Sequence, residues 1–193
     1  MERQRCVWCG ADELYCAYHD EEWGAPERDS AALWEKLVLD GFQAGLSWIT
    51  ILRKREAFRA AFAGFDFEIV AGFGAADVER LLQDAGIVRH RGKIEAVVNN
   101  ARRAVELVAQ EGSIAAYTWR FEDPEPDRVP EFRATSAASV AMSRDLKKRG
   151  WRFVGPTTAY AFMQAMGLVN DHETGCVVRE QVAGARAAFE PPA

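Results

Sequence analysis

The sequence predicts an all-α protein, and the spacing of its apolar residues is the main reason. Apolar side chains recur every three or four residues from position 94 to 108, the pattern of an amphipathic helix of about five turns. No segment has the convincing apolar–polar alternation of a half-buried strand. Glycine and proline clusters separate the remaining segments, which also have a helical pattern. These observations together favour a fold built from helices alone.

Further, shorter helices are predicted along the chain, at 30–40, 47–62, 75–84, 137–149 and 157–166. Ser30 and Ser47 are suited to be N-caps, because a serine hydroxyl accepts from the free amides of a first helical turn. The run from Lys147 to Arg149, followed by Gly150, is typical of a basic last turn with a glycine stop. An acidic, proline-rich stretch at 122–130 is expected to be an exposed loop.

Length and composition are those of one globular domain. The chain has 193 residues, 49% of them hydrophobic and 27% charged, with no apolar run near the ~18 residues of a membrane span. We expect one domain of two helical lobes over 1–186 and a disordered tail at 187–193. Because no apolar signal segment follows Met1, we expect a cytoplasmic protein with no membrane partner. The net charge of −5 argues mildly against nucleic acid, but basic residues cluster locally.

Scarce metal-ligand residues lie at the two ends of the chain. There are three histidines and four cysteines, and Cys6, His19, His172 and Cys176 combine one pair from each end. Two cysteines with two histidines form a tetrahedral zinc site, which would be structural because no coordination position stays open. Cys9 and Cys16 remain alternative ligands at this point. Such a site would join the termini of one compact fold.

A second motif lies at 81–94, where a short helix ends and the long helix begins. Gly86 permits a sharp turn, and Gly92 lies where the next helix opens, with its amides and dipole facing outward. Arg89, Arg91 and Lys93 add positive charge. This arrangement suits a phosphate backbone that is bound without reading its sequence. A plain helical corner with solvated arginines explains the motif equally well.

A third motif runs from 39 to 48 and holds a carboxylate, an amide, two glycines and a tryptophan. Small residues let a backbone approach a ligand closely, and Leu46 beside Gln43 and Gly45 has the character of an apolar wedge. A buried carboxylate at Asp40 would recognise an amine or a cation. Taken alone, the segment favours a tight loop around a core tryptophan.

Aromatic residues are concentrated near the N-terminus, at Trp8, Tyr15, Tyr18 and Trp23. Flat side chains beside a carboxylate suit stacking on a planar base. Isolated from context, the same residues favour a small apolar core.

With these segments in place, the chain resembles the DNA-3-methyladenine glycosylase I family, a branch of the helix-hairpin-helix DNA glycosylases. The resemblance covers about residues 6–176 and is carried by several stretches in the same order. These are Tyr18–Asp20 with Glu22–Gly24, Gln43–Trp48, Asp84–Ile87 with Arg91–Ile94, Asn99–Arg102, Leu146–Gly150, and Gly167–His172 with Gly175–Cys176.

The resemblance implies a fold, an activity and a set of site residues. It implies an all-helical monofunctional enzyme that flips 3-methyladenine out of double-stranded DNA and hydrolyses its glycosidic bond in base excision repair. A single protein inspecting one base is expected to be a monomer. The family carries one structural zinc ion at the positions of Cys6, His19, His172 and Cys176. Its base pocket lies at the positions of Trp8, Tyr15, Tyr18 and Trp48, with an acidic residue at position 40.

The resemblance also assigns the residues that contact DNA. Gln43, Gly45 and Leu46 would enter the duplex where the damaged nucleotide leaves it. The hairpin would anchor the backbone through Gly86, Arg89, Arg91, Gly92 and Lys93.

One departure from the family concerns the acid of the pocket. Asp40 replaces the glutamate that the family typically carries, which shortens the reach of the carboxylate by roughly 1.5 Å. A reshaped pocket, a bridging water or altered base selectivity would each accommodate the change.

Three other functions remain alternatives. Asp40 makes a lesion-binding protein without activity conceivable, and Lys93 is the residue that a strand-cleaving enzyme would use as nucleophile. A zinc-stabilised helical interaction module is the third, and the DNA-binding motifs argue against it.

Overall fold

The computed structural model describes residues 4–131 and 133–192, and the regular elements in them are all helices. In chain order they are α1 (Glu13–Glu21), α2 (Ser30–Gln43), α3 (Trp48–Leu52), α4 (Arg55–Ala61), α5 (Phe67–Ala71), α6 (Ala75–Gln83), α7 (Arg91–Glu111), α8 (Ile114–Trp119), α9 (Ala137–Lys148), α10 (Pro156–Ala165) and α11 (Arg179–Ala187). Two short 3-10 turns lie at Val7–Cys9 and Ala63–Phe65. The prediction of an all-α fold is confirmed.

Helix α2 is the central element of the core and contacts α3, α7, α8 and α10. Apolar side chains on several of its faces, including Trp34 and Phe42, are buried, as expected for a helix surrounded by others. It begins after Asp29, whose carboxylate accepts from the Ala31 amide at 3.2 Å. The prediction of Ser30 as N-cap is therefore wrong: its hydroxyl accepts from the amide of Ala115 instead.

The predicted helix at 47–62 is two helices, α3 and α4, because the chain turns at Lys54. Its backbone φ and ψ are −99° and 0°, and its amide donates to Ile51, three residues back. Its ammonium meanwhile donates to the carbonyl oxygens of Ala85 and Gly86 at 3.2 and 3.1 Å. Ser47 does occupy the N-cap position, but its hydroxyl pairs with the Thr50 hydroxyl and caps no amide.

Some of the remaining helices agree with the predictions from the sequence, and four were not predicted. Helices α6, α9 and α10 end within one residue of the predicted limits, and α7 extends the long predicted helix in both directions. Helices α1, α5, α8 and α11 were not predicted. Short helices such as α1 and α8 are stabilised at their starts by the side chains of Asp12 and Ser113.

The described ends of the chain lie together, where the amide of Val177 donates to the carbonyl of Gln4 at 3.0 Å. A small apolar cluster there includes Val178 and Val182. Phe189 follows α11 and packs against Trp119, with 4.4 Å between ring centroids. In the described part of the chain, no helix combines the length and apolar character needed to span a bilayer.

Candidate functional site

A cavity of about 470 Å³ opens between α1, α2 and the loops that follow α8 and α10. Its size lies in the range of small-molecule sites. It is lined by aromatic, charged and small polar residues: Trp8, Tyr15, Tyr18, Trp23, Lys36, Asp40, Gln43, Trp48, Pro130, Glu131, Arg133, Ala161, Gln164, Asp171, Glu173 and Thr174. The pocket residues named from the sequence thus face one space.

The aromatic part of the wall is a connected set of rings. Trp8 lies at the centre, with centroid distances of 4.9 Å to both Tyr15 and Trp23. Tyr18 and Trp48 are buried and lie 5.4 Å apart. Rings that hold one another in place present fixed apolar faces, which suits a planar ligand.

The acid of the cavity wall that the sequence singled out is Asp40, in the last turns of α2, and it is 2% exposed. Its Oδ1 accepts from the ammonium of Lys36, one turn earlier on the same helix. Its Oδ2 is buried and has no hydrogen-bond partner within the described residues. Burial raises the pKa of Asp40, and the contact with Lys36 opposes that rise. One oxygen of a buried carboxylate is therefore left to accept from a ligand.

The segment at 43–46 connects α2 to α3 at the cavity mouth. Gln43 lines the cavity, whereas Leu46 is 42% exposed. Gly45 adopts a φ of +80°, which a side chain would make costly. The loop therefore presents an exposed apolar side chain three residues after a residue of the cavity wall.

The hairpin segment, defined as residues 84–93, joins α6 to α7. Ile87 is buried in the core, and His90 caps α7 by accepting from the Lys93 amide at 3.2 Å. A Cβ on Gly86 would lie 2.9 Å from the Cβ of Ala57, so close packing requires this glycine. A Cβ on Gly92 would lie only 3.3 Å from the His90 ring.

The cationic side chains of the hairpin segment point in different directions. Arg89 is exposed, and Arg91 is exposed and paired with Glu79 at 2.6 Å. Lys93 is buried, and its ammonium donates to the carbonyl oxygens of Phe42 and Ala44 at 2.8 and 2.6 Å. It thereby satisfies carbonyls at the C-terminal end of α2, where a positive charge is favourable.

The terminal cluster, defined as Cys6, His19, His172 and Cys176, is buried below Trp8 and Trp23. Ligand atoms of Cys6, His19 and Cys176 all lie within 4.8 Å of one another. A hydrogen bond from Arg5 lowers the pKa of Asp20 to about 2, so Asp20 is an anion. Its carboxylate accepts from Nδ1 of His19 at 2.8 Å. Nε2 of His19 therefore lies within the cluster, 3.5 Å from Sγ of Cys176 and 3.4 Å from the amide nitrogen of Cys6, as in metal sites whose histidine is oriented by a carboxylate.

His172 lies beside these three residues, with its ring 5.0 Å from that of His19. Its Nδ1 is 3.1 Å from the amide oxygen of Asn170, and its Nε2 is buried without a partner among the described residues. Burial, and then the neighbouring His19, lower its pKa to about 4, so the ring is neutral, as a metal ligand must be. Cys9 instead directs its thiol to the carbonyl of Cys6 at 3.2 Å. Cys6, His19 and Cys176 thus bring two sulfur atoms and one nitrogen atom together as a metal ion requires, and His172 lies beside them.

Several residues of the cavity were missed from the sequence. Lys36 was detectable, because it lies four residues before Asp40 and shares its face of α2. Trp23 was noted as aromatic but not assigned to the pocket. Glu131, Arg133 and Asp171 reach the cavity from loops, and their sequence carries no signal of that placement.

Comparison with known proteins identifies the family. Residues 8–180 match the family model described as methyladenine glycosylase. DNA-3-methyladenine glycosylase 1 of Escherichia coli (strain K12) is 51% identical over 178 residues, which are 90% of this chain and 95% of that protein. DNA-3-methyladenine glycosylase of Haemophilus influenzae (strain ATCC 51907 / DSM 11121 / KW20 / Rd) is 46% identical over 177 residues, 89% of this chain and 96% of that protein.

A solved structure gives the same result. 3-Methyladenine DNA glycosylase I from Staphylococcus aureus, solved to explain its recognition of 3-methyladenine, superposes with a TM-score of 0.86 at 37% identity. The superposition covers 91% of this chain and 96% of that one. The chain therefore belongs to the methyladenine glycosylase family.

Proposed function

We propose that this chain is a monofunctional DNA glycosylase that removes 3-methyladenine from alkylated double-stranded DNA in base excision repair. The observation that carries the proposal is a cavity that is walled by aromatic rings and lined by buried Asp40, whose Oδ2 has no hydrogen-bond partner among the described residues. Relatives that bear this activity in their names cover nearly the whole chain. A monomer is sufficient, since one chain supplies the complete cavity.

The cavity matches the chemistry of the base. Methylation at N3 gives the adenine ring a positive charge, which aromatic faces and a carboxylate both attract. Asp40 Oδ2 would accept from the exocyclic amine, and Trp8, Tyr15, Tyr18 and Trp48 would stack on or border the ring. A base that already carries charge leaves readily, so selectivity lies in flipping and inspecting it. Water then captures the sugar.

The DNA-binding parts would be the 43–46 loop and the hairpin segment. The exposed Leu46, with Gln43 and Gly45, would fill the space that the flipped nucleotide vacates. The hairpin segment would hold the backbone through the amides near Gly86 and Gly92 and through Arg89 and Arg91. In this proposal Lys93 stabilises the 43–46 loop, because its ammonium donates to the carbonyls of Phe42 and Ala44.

Zinc is the metal that best suits the terminal cluster, because thiolate and imidazole ligands select it. Cys6, His19, His172 and Cys176 would hold one ion and join the two ends of the chain. With four protein ligands the ion would stabilise the fold and take no part in base release. Trp8 and Trp23, which pack on the cluster, would thereby be fixed at the cavity wall.

A protein that binds the lesion without cleaving is the second candidate, and the shorter acid at position 40 is the observation behind it. Release of free 3-methyladenine from methylated duplex DNA separates the two. We expect release by the parent chain, a loss of roughly 10- to 100-fold in Asp40→Asn, since a charged hydrogen bond is removed, and retention of activity in Asp40→Glu. Glu106→Gln, at an exposed surface residue, is the matched control. Tight binding of methylated DNA without release would instead support the lesion-binding protein.

A further inference from the structure

Lys36 and Asp40 form a buried ion pair on one face of α2. Lys36 is 7% exposed and Asp40 2%, and the ammonium contacts Oδ1 of the carboxylate. The same ammonium lies 3.8 Å from the centre of the Trp48 ring. The positive charge is therefore held between the acid of the cavity and one of its aromatic faces.

Each member of the pair would be costly to bury as an ion without the other. Asp40 lies near the C-terminal end of α2, where the helix dipole also disfavours negative charge. Burial raises the pKa of Asp40 and lowers the pKa of Lys36, and the contact between them opposes both changes. An unpaired carboxylate in this place would take up a proton instead of remaining charged.

Two other charged groups near Lys36 are paired with each other. Glu22 and Arg55 approach Lys36 from the end of α1 and from α4, and they bind each other at 2.5 and 2.9 Å. The phenol of Tyr18 is buried, which raises its pKa well above the ordinary value, so it is neutral. The other charged residues of the cavity wall are Glu131, Arg133, Asp171 and Glu173. Lys36 is the cation in direct contact with Asp40.

We propose that Lys36 is a positioning residue for base recognition, which holds Asp40 as a charged acceptor and leaves its Oδ2 free for the amine of the flipped base. The inference rests on the proposed function, because it explains how Asp40 is kept charged before a base enters the cavity. Lys36 acts through Asp40 and does not itself react. Without it, the protonated acid would retain only a neutral acceptor oxygen and would lose the negative charge that attracts a cationic base.

The direct test is the ionisation of Asp40 in the free protein, followed by carbon NMR of aspartate carboxyl groups in the full chain. Asp40→Asn identifies the signal. We expect the Asp40 midpoint to move upward by about one pH unit or more in Lys36→Met, a tenfold change in proton affinity. Lys147→Met, which removes an exposed lysine, should leave the midpoint unchanged. Coincident midpoints in the parent chain and Lys36→Met would overturn the inference.

The second readout is the pH dependence of single-turnover base release. Because the pKa of Asp40 rises when Lys36 is lost, Lys36→Met should lose activity at low pH and recover it as the pH increases. Lys36→Arg, which retains the charge, should restore the low-pH activity. A loss by the same factor at every pH would mean a purely structural role and would contradict the proposal.

The two readouts separate this inference from the proposed function. An Asp40 midpoint that shifts in Lys36→Met, together with no base release by the parent chain, would support the role of Lys36 and refute the glycosylase activity. Base release by the parent chain, together with an Asp40 midpoint that does not move in Lys36→Met, would support the glycosylase activity and refute the role of Lys36. If Lys36→Met does not fold, Asp40→Asn supplies the reciprocal test, since the Lys36 ammonium should then titrate at lower pH. An unchanged Lys36 titration would overturn the pairing.

Discussion

The terminal cluster and the hairpin segment differ in how sequence distance relates to position in the fold. Cys6 and Cys176 are separated by most of the chain, yet their sulfur atoms and His19 form one buried group. Arg91 and Lys93 are two residues apart, yet one lies on the surface and the other donates into the protein. Shared ligand chemistry was therefore a better guide to which side chains lie together than proximity along the chain.

The physical reason is the cost of burial. A buried cysteine or histidine needs partners, so scarce ligand types at both termini point to one shared centre. A lysine at the start of a helix has no such constraint, because its ammonium can either remain in solvent or be buried with hydrogen-bond partners. The carbonyls at the end of α2 determine the direction of Lys93, and they are 50 residues earlier in the chain.

The largest effect is expected from Cys176→Ser, which removes a ligand of the terminal cluster. The proposed ion would be lost, and the free energy of unfolding should fall by at least ~3 kcal/mol. Metal content and thermal unfolding of the purified chain measure both. Cys9→Ser and Cys16→Ser are the matched thiol controls and should retain one zinc per chain. Loss of zinc from Cys9→Ser would mean that the ligand set is wrong.

An intermediate effect is expected from Lys93→Met, since two carbonyl oxygens near the end of α2 lose their donor. Stability should fall by ~1–3 kcal/mol, and base release should slow because the 43–46 loop loses its support. The salt dependence of DNA binding should remain that of the parent chain. If the slope of log DNA affinity against log salt concentration falls by about one, Lys93 contacts a phosphate.

The smallest effect on the fold is expected from Arg89→Ala, because Arg89 is exposed. The unfolding midpoint should not change, whereas the slope of DNA affinity against salt should fall by about 0.9 if one phosphate contact is lost. Arg91→Ala should change the slope less, since Glu79 already competes for that guanidinium. Equal slopes in the parent chain and both variants would exclude the hairpin segment from the DNA interface.

The fold was largely predictable from the sequence. The 94–108 pattern located α7 because a long amphipathic face repeats a clear period, and a shorter helical pattern at 30–40 located α2. Short helices such as α5 and α8 contain fewer than two turns, so their period is not measurable and packing decides them. The break between α3 and α4 at Lys54 was also not predictable from the local sequence, because the Lys54 ammonium contacts the distant carbonyls of Ala85 and Gly86.

The site was predictable in part. Asp40 and the N-terminal aromatic residues were noted from their motifs and assigned to a base pocket through the resemblance, and they do line one cavity. Lys36 was overlooked although its four-residue spacing from Asp40 was visible, because lysine on a helix is usually solvated. Asp171 follows α10 and enters the wall through contacts with Tyr160 and Gln164, which only the tertiary structure brings together.

The central claim is that this cavity releases a base and leaves the DNA strand intact. The most direct measurement counts free 3-methyladenine, abasic sites and strand breaks after the parent chain acts on methylated duplex DNA. The account predicts one abasic site for each base released and no strand breaks above the level without protein. Bound DNA with no released base, or strand breaks in step with release, would contradict it.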